Sequence, residues 1–315
     1  MGGMVLRVLA LLAALAAVAG VLRTATGDGR AAPVPADVPE AGPPRPERAT
    51  AAPVPPPAPD TALPGEPAAL AERMTATDDA LRAAVAAWRT AGDPARGAPP
   101  DGVTLHALYL QRAQRRLSRA PRLAGATVAH LPPRLARQTR DVTRALRALR
   151  RLSAGWPEHR VRTGPPEPLG RLLRHYRAAQ RRFGVGWPRL AAVNLVESAF
   201  GRLRNESVSG AQGPMQFMPA TWRAYGLGGN IRDPGDSILG AANYLRASGA
   251  PRNYRRALYA YNHSRLYVEA VARYSRFIAR DPHSFYVLHS WHYYSGSGPT
   301  FRRLTGPPPR SLFAG

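Results

Sequence analysis

Proline decides where this chain can fold. The sequence holds 33 prolines in 315 residues, and many of them crowd between Ala31 and Pro67. Each one fixes its own φ and lacks a backbone N–H. A stretch so rich in Pro and Ala buries too little apolar surface to offset the entropy of ordering it. Residues 31–65 therefore read as a disordered tether, extended and partly polyproline-like. The foldable part begins near Glu66. It contains no cysteine, so disulfides and thiolate chemistry are excluded and the fold must rest on its apolar core.

Ahead of the tether, Arg7 precedes an apolar run from Val8 to Leu22. This run is long enough for the core of a secretory signal and short of the roughly 20 residues of a membrane span. Ala17-Val18-Ala19 followed by Gly20 fits a small-x-small cleavage site. Counted from Met4, the same run can just span as an uncleaved anchor, with Arg7 snorkelling to the interface. Residues 1–30 are thus a signal peptide or a membrane anchor, and both readings place the folded part outside the cytoplasmic membrane.

The formal net charge is +24, and with no lysine present its positive side is all arginine. Abundant Ala, Arg, Pro and Gly without lysine points to a GC-rich coding bias, so part of the arginine count is mutational. Between Val103 and Arg182 nineteen arginines face three acids, Asp141, Glu158 and Glu167. Residues 66–165 read as a basic helical region. Leu70, Met74, Leu81, Val85 and Trp88 form one helical stripe; Leu135, Val142, Leu146 and Leu149 form another. Opposite the second stripe stand Arg137, Arg140, Arg144, Arg147 and Arg151. Such a face is either a solvated surface or a dock for anionic wall polymer or a membrane surface. Net charge alone would suggest nucleic acid, but an exported chain meets wall polymers and lipid headgroups first, so no nucleic-acid partner is expected.

Residues 166–280 carry helix signals in close order. Pro168 to Phe183 is apolar at Leu169, Leu172, Leu173 and Tyr176, and Gly184-Val185-Gly186 breaks it. Pro188 suits the first turn of the next helix, which carries Leu190, Val193, Leu195 and Val196 and ends at Glu197-Ser198. A glycine-rich loop runs to Gly213. Pro219 opens a short helix closed by Gly226, Asp233-Pro234 and Asp236 start another, and two more come at Asn253–Tyr261 and Leu266–Ile278. No period-two alternation is sustained, so the class is all-α. From Asp281 the tail turns aromatic, with Phe285, Tyr286, Trp291, Tyr293 and Tyr294, and reads as a surface segment or short hairpin.

Chemistry concentrates in the third zone. Glu197 ends an apolar helical run, at the edge of the core, where desolvation raises a carboxyl pKa. A glycosidic general acid needs that, because it must hold a proton near neutral pH. Ser207 comes next, then Gly210-Ala-Gln-Gly-Pro-Met-Gln216, a glycine-hinged loop that lets backbone approach a ligand. Gln216 offers donor and acceptor to a sugar amide. Later come Ala260, Tyr261 and Asn262. Each feature alone has a plain structural reading, as a helix-end salt bridge, a turn or a helix terminus.

Together, Glu197-Ser198, the Gly210–Gln216 segment with Met218-Pro-Ala-Thr-Trp222, and Ala260-Tyr261-Asn262 resemble, in order and spacing, the soluble lytic murein transglycosylase family. The resemblance covers about Phe183 to Ile278. It implies a lysozyme-like helical domain acting on peptidoglycan at the cell wall, and says nothing of the Pro-rich tether and helical extension that precede it or of the tail; no cofactor or metal is expected. By position, Glu197 is similar to the family's catalytic acid/base, and Tyr261 to the tyrosine that orients it. Met215 and Gln216 match the pair lining the cleft, and Asn262 the asparagine beside it. Ser207 resembles the serine near the scissile bond, with Ser209 the alternative because the gap after Glu197 is slightly longer than usual. Pro214 stands where many members have leucine, and His263-Ser264 where many have Ala-Gly. The implied reaction cleaves between N-acetylmuramic acid and N-acetylglucosamine and leaves a 1,6-anhydro end. A second carboxylate in the cleft, from Glu206, Asp233 or Asp236, would instead make the enzyme a lysozyme-like hydrolase. A non-catalytic wall-binding protein on the same scaffold is a further alternative, which the presence of Glu197 argues against.

Overall fold

The computed structural model describes residues 55–154, 161–295 and 302–307. The apolar N-terminal run, most of the Pro-rich tether and Glu158 lie outside them. Among the described residues there are eleven helices and one two-stranded ribbon, and no helix is long and apolar enough to cross a membrane.

Four helices precede residue 155: α1 (Pro67–Ala91), α2 (Asp101–Arg119), α3 (Pro121–His130) and α4 (Pro133–Leu152). Proline stands in the first turn of α1, α3 and α4, where its missing N–H costs no helical bond. The stripes expected on α1 and α4 face inward. Leu70, Met74, Leu81, Val85 and Trp88 are buried, as are Leu135 and Val142, while Leu146 and Leu149 pack partly buried against the same core.

The second set is α5 (Leu169–Phe183), α6 (Trp187–Ser198), α7 (Pro219–Tyr225), α8 (Pro234–Ala247), α9 (Tyr254–Tyr261), α10 (Arg265–Arg280) and α11 (His283–His289). Gly184, at φ 69°, closes α5 in the left-handed region. Asp233, Asn253 and Ser264 cap α8, α9 and α10 through their side-chain oxygens. One buried core runs from α1 to α11.

The tail departs from the surface segment expected of it. Residues 283–289 form α11, and Phe285, Leu288, His289 and Trp291 are buried. Phe285 meets the rings of Tyr176, Trp187 and Phe200 edge-on at 5.6–6.0 Å, the favoured aromatic geometry. The hairpin comes after it, as β1 (Tyr294–Ser295) paired antiparallel with β2 (Arg302–Arg303). Gln111 of α2 fastens this segment with both ends of its amide, donating to the His292 carbonyl at 2.8 Å and accepting from the His292 N–H at 3.0 Å.

The five-arginine face of α4 is also redistributed. Arg137, Arg140, Arg144 and Arg151 are exposed. Arg147 turns back and donates to the carbonyls of Ser118 and Leu117 at the end of α2, where a helix dipole favours a cation. On the inner side, Asp141 receives three arginines of α10: Arg273 at 3.2 Å, Arg276 at 3.4 Å and Arg280 at 3.0 Å.

Candidate active site

Glu197 sits in the last turn of α6, one turn beyond Val193 and Asn194, which are fully buried. Positions three and four apart share a helix face, so the carboxyl inherits the buried face and is itself half-buried. Burial raises its pKa to about 7, and a hydrogen bond from Tyr267 opposes the rise. The Tyr267 hydroxyl donates to Glu197 Oε1 at 2.6 Å. No second carboxylate contributes to the shift.

Immediately after α6 the chain makes a tight left-handed turn. Ala199, Phe200 and Gly201 take φ of 50°, 62° and 80°, a region that side chains other than glycine's adopt at a cost. The surroundings hold it there. Phe200 is buried, and Ser198 Oγ accepts from the Gly201 N–H at 2.9 Å. The same Ser198 hydroxyl donates to the Pro214 carbonyl at 2.6 Å, and Asn194 Nδ2 donates to that carbonyl at 2.8 Å. The serine beside Glu197 thus ties the helix end to the glycine loop.

The loop is a narrow hairpin in which Gln212 and Phe217 exchange two main-chain bonds, both 2.8 Å. Gly213, at φ 74°, makes it possible: a Cβ there would lie 1.9 Å from the Ile231 carbonyl oxygen. Folding back so tightly turns Met215 inward. Its side chain is fully buried, which corrects its expected place as a cleft-lining contact. Its carbonyl faces the site and accepts from the Tyr261 hydroxyl at 2.7 Å. Tyr261 is therefore joined to the loop, and the phenol on Glu197 is that of Tyr267 rather than the one the resemblance implies. The two rings stack in parallel, with 2° between planes and 6.3 Å between centroids. Burial and the nearby Glu197 push both phenols well above the usual tyrosine range, so both act as donors.

The remaining candidates are held by local bonds. Gln216 takes a positive φ of 50°, and its amide donates to Gly213 O at 3.0 Å and Asn205 O at 3.3 Å. Ser207 Oγ accepts from the Ala211 N–H at 2.9 Å and lies 3.1 Å from Ser209 Oγ, closing the loop's neck. Asn262 caps the end of α9, and its buried Oδ1 has no hydrogen-bond partner among the described residues. The three acids that could have served as a second carboxylate are engaged elsewhere. Glu206 pairs with Arg232 at 2.8 Å, Asp233 accepts from the Asp236 N–H at 2.9 Å, and Asp236 accepts from the Asn230 N–H at 2.8 Å.

Sequence reasoning passed over Tyr267, although a signal existed. Tyr267, Ala270, Val271, Tyr274 and Ile278 form the buried stripe of α10, so a phenol at its head had to face the core that Glu197 also faces. His289 and His292, a conceivable metal pair, belong to packing. His289 Nε2 lies 2.9 Å from the Glu167 carbonyl, and burial pushes both imidazoles down to about 3.

No curated protein and no solved structure gives a match to the chain. Residues 174–281, from within α5 to the end of α10, match the family model of the transglycosylase SLT domain. That segment holds Glu197, Tyr261 and Tyr267, and its match is consistent with the lytic transglycosylase family and with a lysozyme-like helical fold.

Proposed function

We propose that this protein is a peptidoglycan lytic transglycosylase in which Glu197 serves as both acid and base. The observation that carries the reading is a half-buried carboxyl with a pKa near 7, bonded to one phenol, inside the SLT segment. At neutral pH such a group is available in both protonation states. Its proton goes to the glycosidic oxygen between N-acetylmuramic acid and N-acetylglucosamine, and the C1–O4 bond breaks. The carboxylate then takes the proton of the C6 hydroxyl of the same muramic residue. O6 closes on C1, the acid is restored and no water is consumed. An intramolecular nucleophile gains from high effective concentration. Hydrolysis would call on a second carboxylate to direct water; Asp233 and Asp236 bond main-chain N–H groups at the start of α8, and Glu206 pairs with Arg232 at the surface.

Tyr267 holds the ionised state of Glu197. Tyr261 fixes the loop that carries Gln216, and Gln216, Ser207 and Asn262, the residue after Tyr261, border the substrate. The orphaned acceptor of Asn262 suits a sugar hydroxyl or amide N–H. The apolar run at Val8 to Leu22 and the tether support action outside the cytoplasmic membrane, in the wall. A reporter that works only in the cytoplasm, fused after Gly315, is expected to stay silent.

Mass spectrometry of the products from purified peptidoglycan tests the chemistry. Muropeptides with 1,6-anhydromuramic ends are expected, and Glu197→Gln should release none. Reducing ends would move the enzyme to hydrolysis, and full activity of Glu197→Gln would end the assignment.

A further inference from the structure

A concavity on α2 shares no residue with the site around Glu197. Arg112, Arg115, Arg116 and Arg119 of α2 line a cavity of about 390 Å³ together with Leu63, Ala120 and Tyr294. Its size falls in the range of about 300–1,000 Å³ in which small-molecule sites lie. Helical spacing brings the four guanidiniums together. Arg112 and Arg116, and Arg115 and Arg119, are four residues apart, so each pair shares a face and each pair repels.

The main chain binds two of these cations without neutralising them. Arg112 donates to the Thr61 carbonyl at 2.7 Å, and Arg116 to the carbonyls of Pro64 at 2.8 Å and Leu63 at 3.1 Å. Main-chain oxygens satisfy the donors but carry no formal charge. They also fasten residues 61–64 along α2, which sets Leu63 as one wall. Tyr294 is the other wall, its ring 4.1 Å from the Arg115 guanidinium. From α4, Arg147 and Arg150 donate to the Ser118 carbonyl at 3.0 and 3.4 Å. Burial and the neighbouring Arg150 both push Arg119 below the usual arginine range, yet a guanidinium keeps its proton. Asp60, in the adjoining segment, attracts Arg303, and Arg303 and Arg112 repel one another.

We propose that this cavity binds a phosphate ester. Guanidinium forks match phosphoryl oxygens bidentately, and a phosphoryl group brings up to two negative charges to a cluster of four positive ones. Leu63, Ala120 and the Tyr294 ring give the alkyl or sugar part of the ester an apolar seat that a bare ion would leave empty. Mutual repulsion along α2 is relieved when the anion binds, so binding and the stability of this corner of the fold rise together.

Calorimetric titration of the full-length protein with glycerol 3-phosphate tests the site, with inorganic phosphate and vesicles of phosphatidylglycerol or phosphatidylcholine as parallel arms. Two double variants separate the cavity from bulk charge. Arg115→Gln/Arg119→Gln removes two cations from it, and Arg140→Gln/Arg144→Gln removes two from the exposed face of α4. Glycerol 3-phosphate should bind saturably and more tightly than inorganic phosphate. The cavity variant should weaken it by at least about tenfold, the worth of one charge-assisted hydrogen bond. The α4 variant should change it less than about twofold, as expected for screened surface charge. Cleavage of peptidoglycan should be unaffected by either. If phosphatidylglycerol vesicles show the same pattern while phosphatidylcholine does not bind, the ester is a lipid headgroup; if only the soluble ester binds, it is a free or wall-borne phosphate. Arg119→Gln alone, at an exposed position, serves where the double variant does not fold. Absence of saturable binding in every arm, or equal loss from both double variants, overturns the proposal.

Discussion

Replacing Tyr267 by Phe tests the electrostatics of the proposed acid more directly than removing the acid itself. The phenol donates to Glu197 Oε1 at 2.6 Å. A hydrogen bond to a charged group is worth about 1.5–3 kcal/mol net, against about 0.5–1.5 for a neutral pair. The difference, on the order of 1–1.5 kcal/mol, favours the carboxylate over the carboxylic acid and corresponds to about one pH unit at 1.36 kcal/mol each. Tyr267 therefore pulls down a pKa that burial has pushed up, and the balance lies at about 7. Phenylalanine retains the ring that stacks on Tyr261 and loses only the donor, so Glu197 should titrate about one unit higher.

A general acid works while it holds its proton, so the alkaline limb of kcat/KM tracks the pKa of free Glu197. In Tyr267→Phe that limb should move up by about one pH unit. Below pH 6 the acid is protonated in both proteins, and a loss of rate there measures orientation alone. The assay is release of soluble muropeptides from purified wall across pH 5 to 9, beside thermal unfolding of both proteins. An alkaline limb that stays in place or moves down in the folded variant would falsify the role given to the Tyr267 bond.

The same contacts dictate other outcomes. Glu197→Gln should lower cleavage by about 10²–10⁴-fold. The folded pKa of Glu197 lies above its unfolded value of 4.5, so its contribution to stability is whole below pH 4.5 and is lost as pH rises through 7. Glu197→Gln should consequently unfold at a higher temperature than the parent at pH 8, by up to about 3 kcal/mol, and show no such gain at pH 4. Tyr261→Phe strands the Met215 carbonyl at a cost of about 1–3 kcal/mol, visible as a lower denaturation midpoint together with slower cleavage. Gly213→Ala puts a methyl group against the Ile231 carbonyl and should sharply reduce activity through the loop while leaving helix content by circular dichroism intact. Asp141→Asn leaves three arginines of α10 facing one another and should destabilise by about 1 kcal/mol, the scale of solvent-screened pairs, since Arg276 and Arg280 are about half exposed, measured by urea unfolding.

Local signals sufficed for the helices around the site. Pro188, Pro219 and Asn253 fall at or near helix starts and Gly184 just after a helix end, because capping and ring geometry act within one turn. The buried place of Glu197 was legible for the same reason, since Val193 and Asn194 fix its face. What was not legible depends on elements far apart in sequence. Phe285 looks like a surface aromatic until α5, α6 and the turn after α6 supply Tyr176, Trp187 and Phe200 around it. Met215 reads as a cleft residue until the Gly213 hairpin turns it inward. Asp141 reads as an isolated acid on a basic helix, and its three partners lie more than a hundred residues further on.

Those partners give the region before residue 155 a part in the chemistry that no motif in it announces. α10 carries Tyr267 in its first turn and Arg273, Arg276 and Arg280 in its later turns. The first bonds the proposed acid and the others converge on Asp141 of α4. A hydrogen bond of 2.6 Å tunes a carboxyl only while its donor stays in place, and the donor is only as fixed as its helix. Packing against α4 immobilises α10 along its length, and the ion cluster sets its position along that groove, since Asp141 accepts from three successive turns. Arginine suits the task, because its charge persists at every pH at which Glu197 titrates. Through α10, α4 thus braces the Tyr267 donor, and the acid's environment stays constant while its own charge changes.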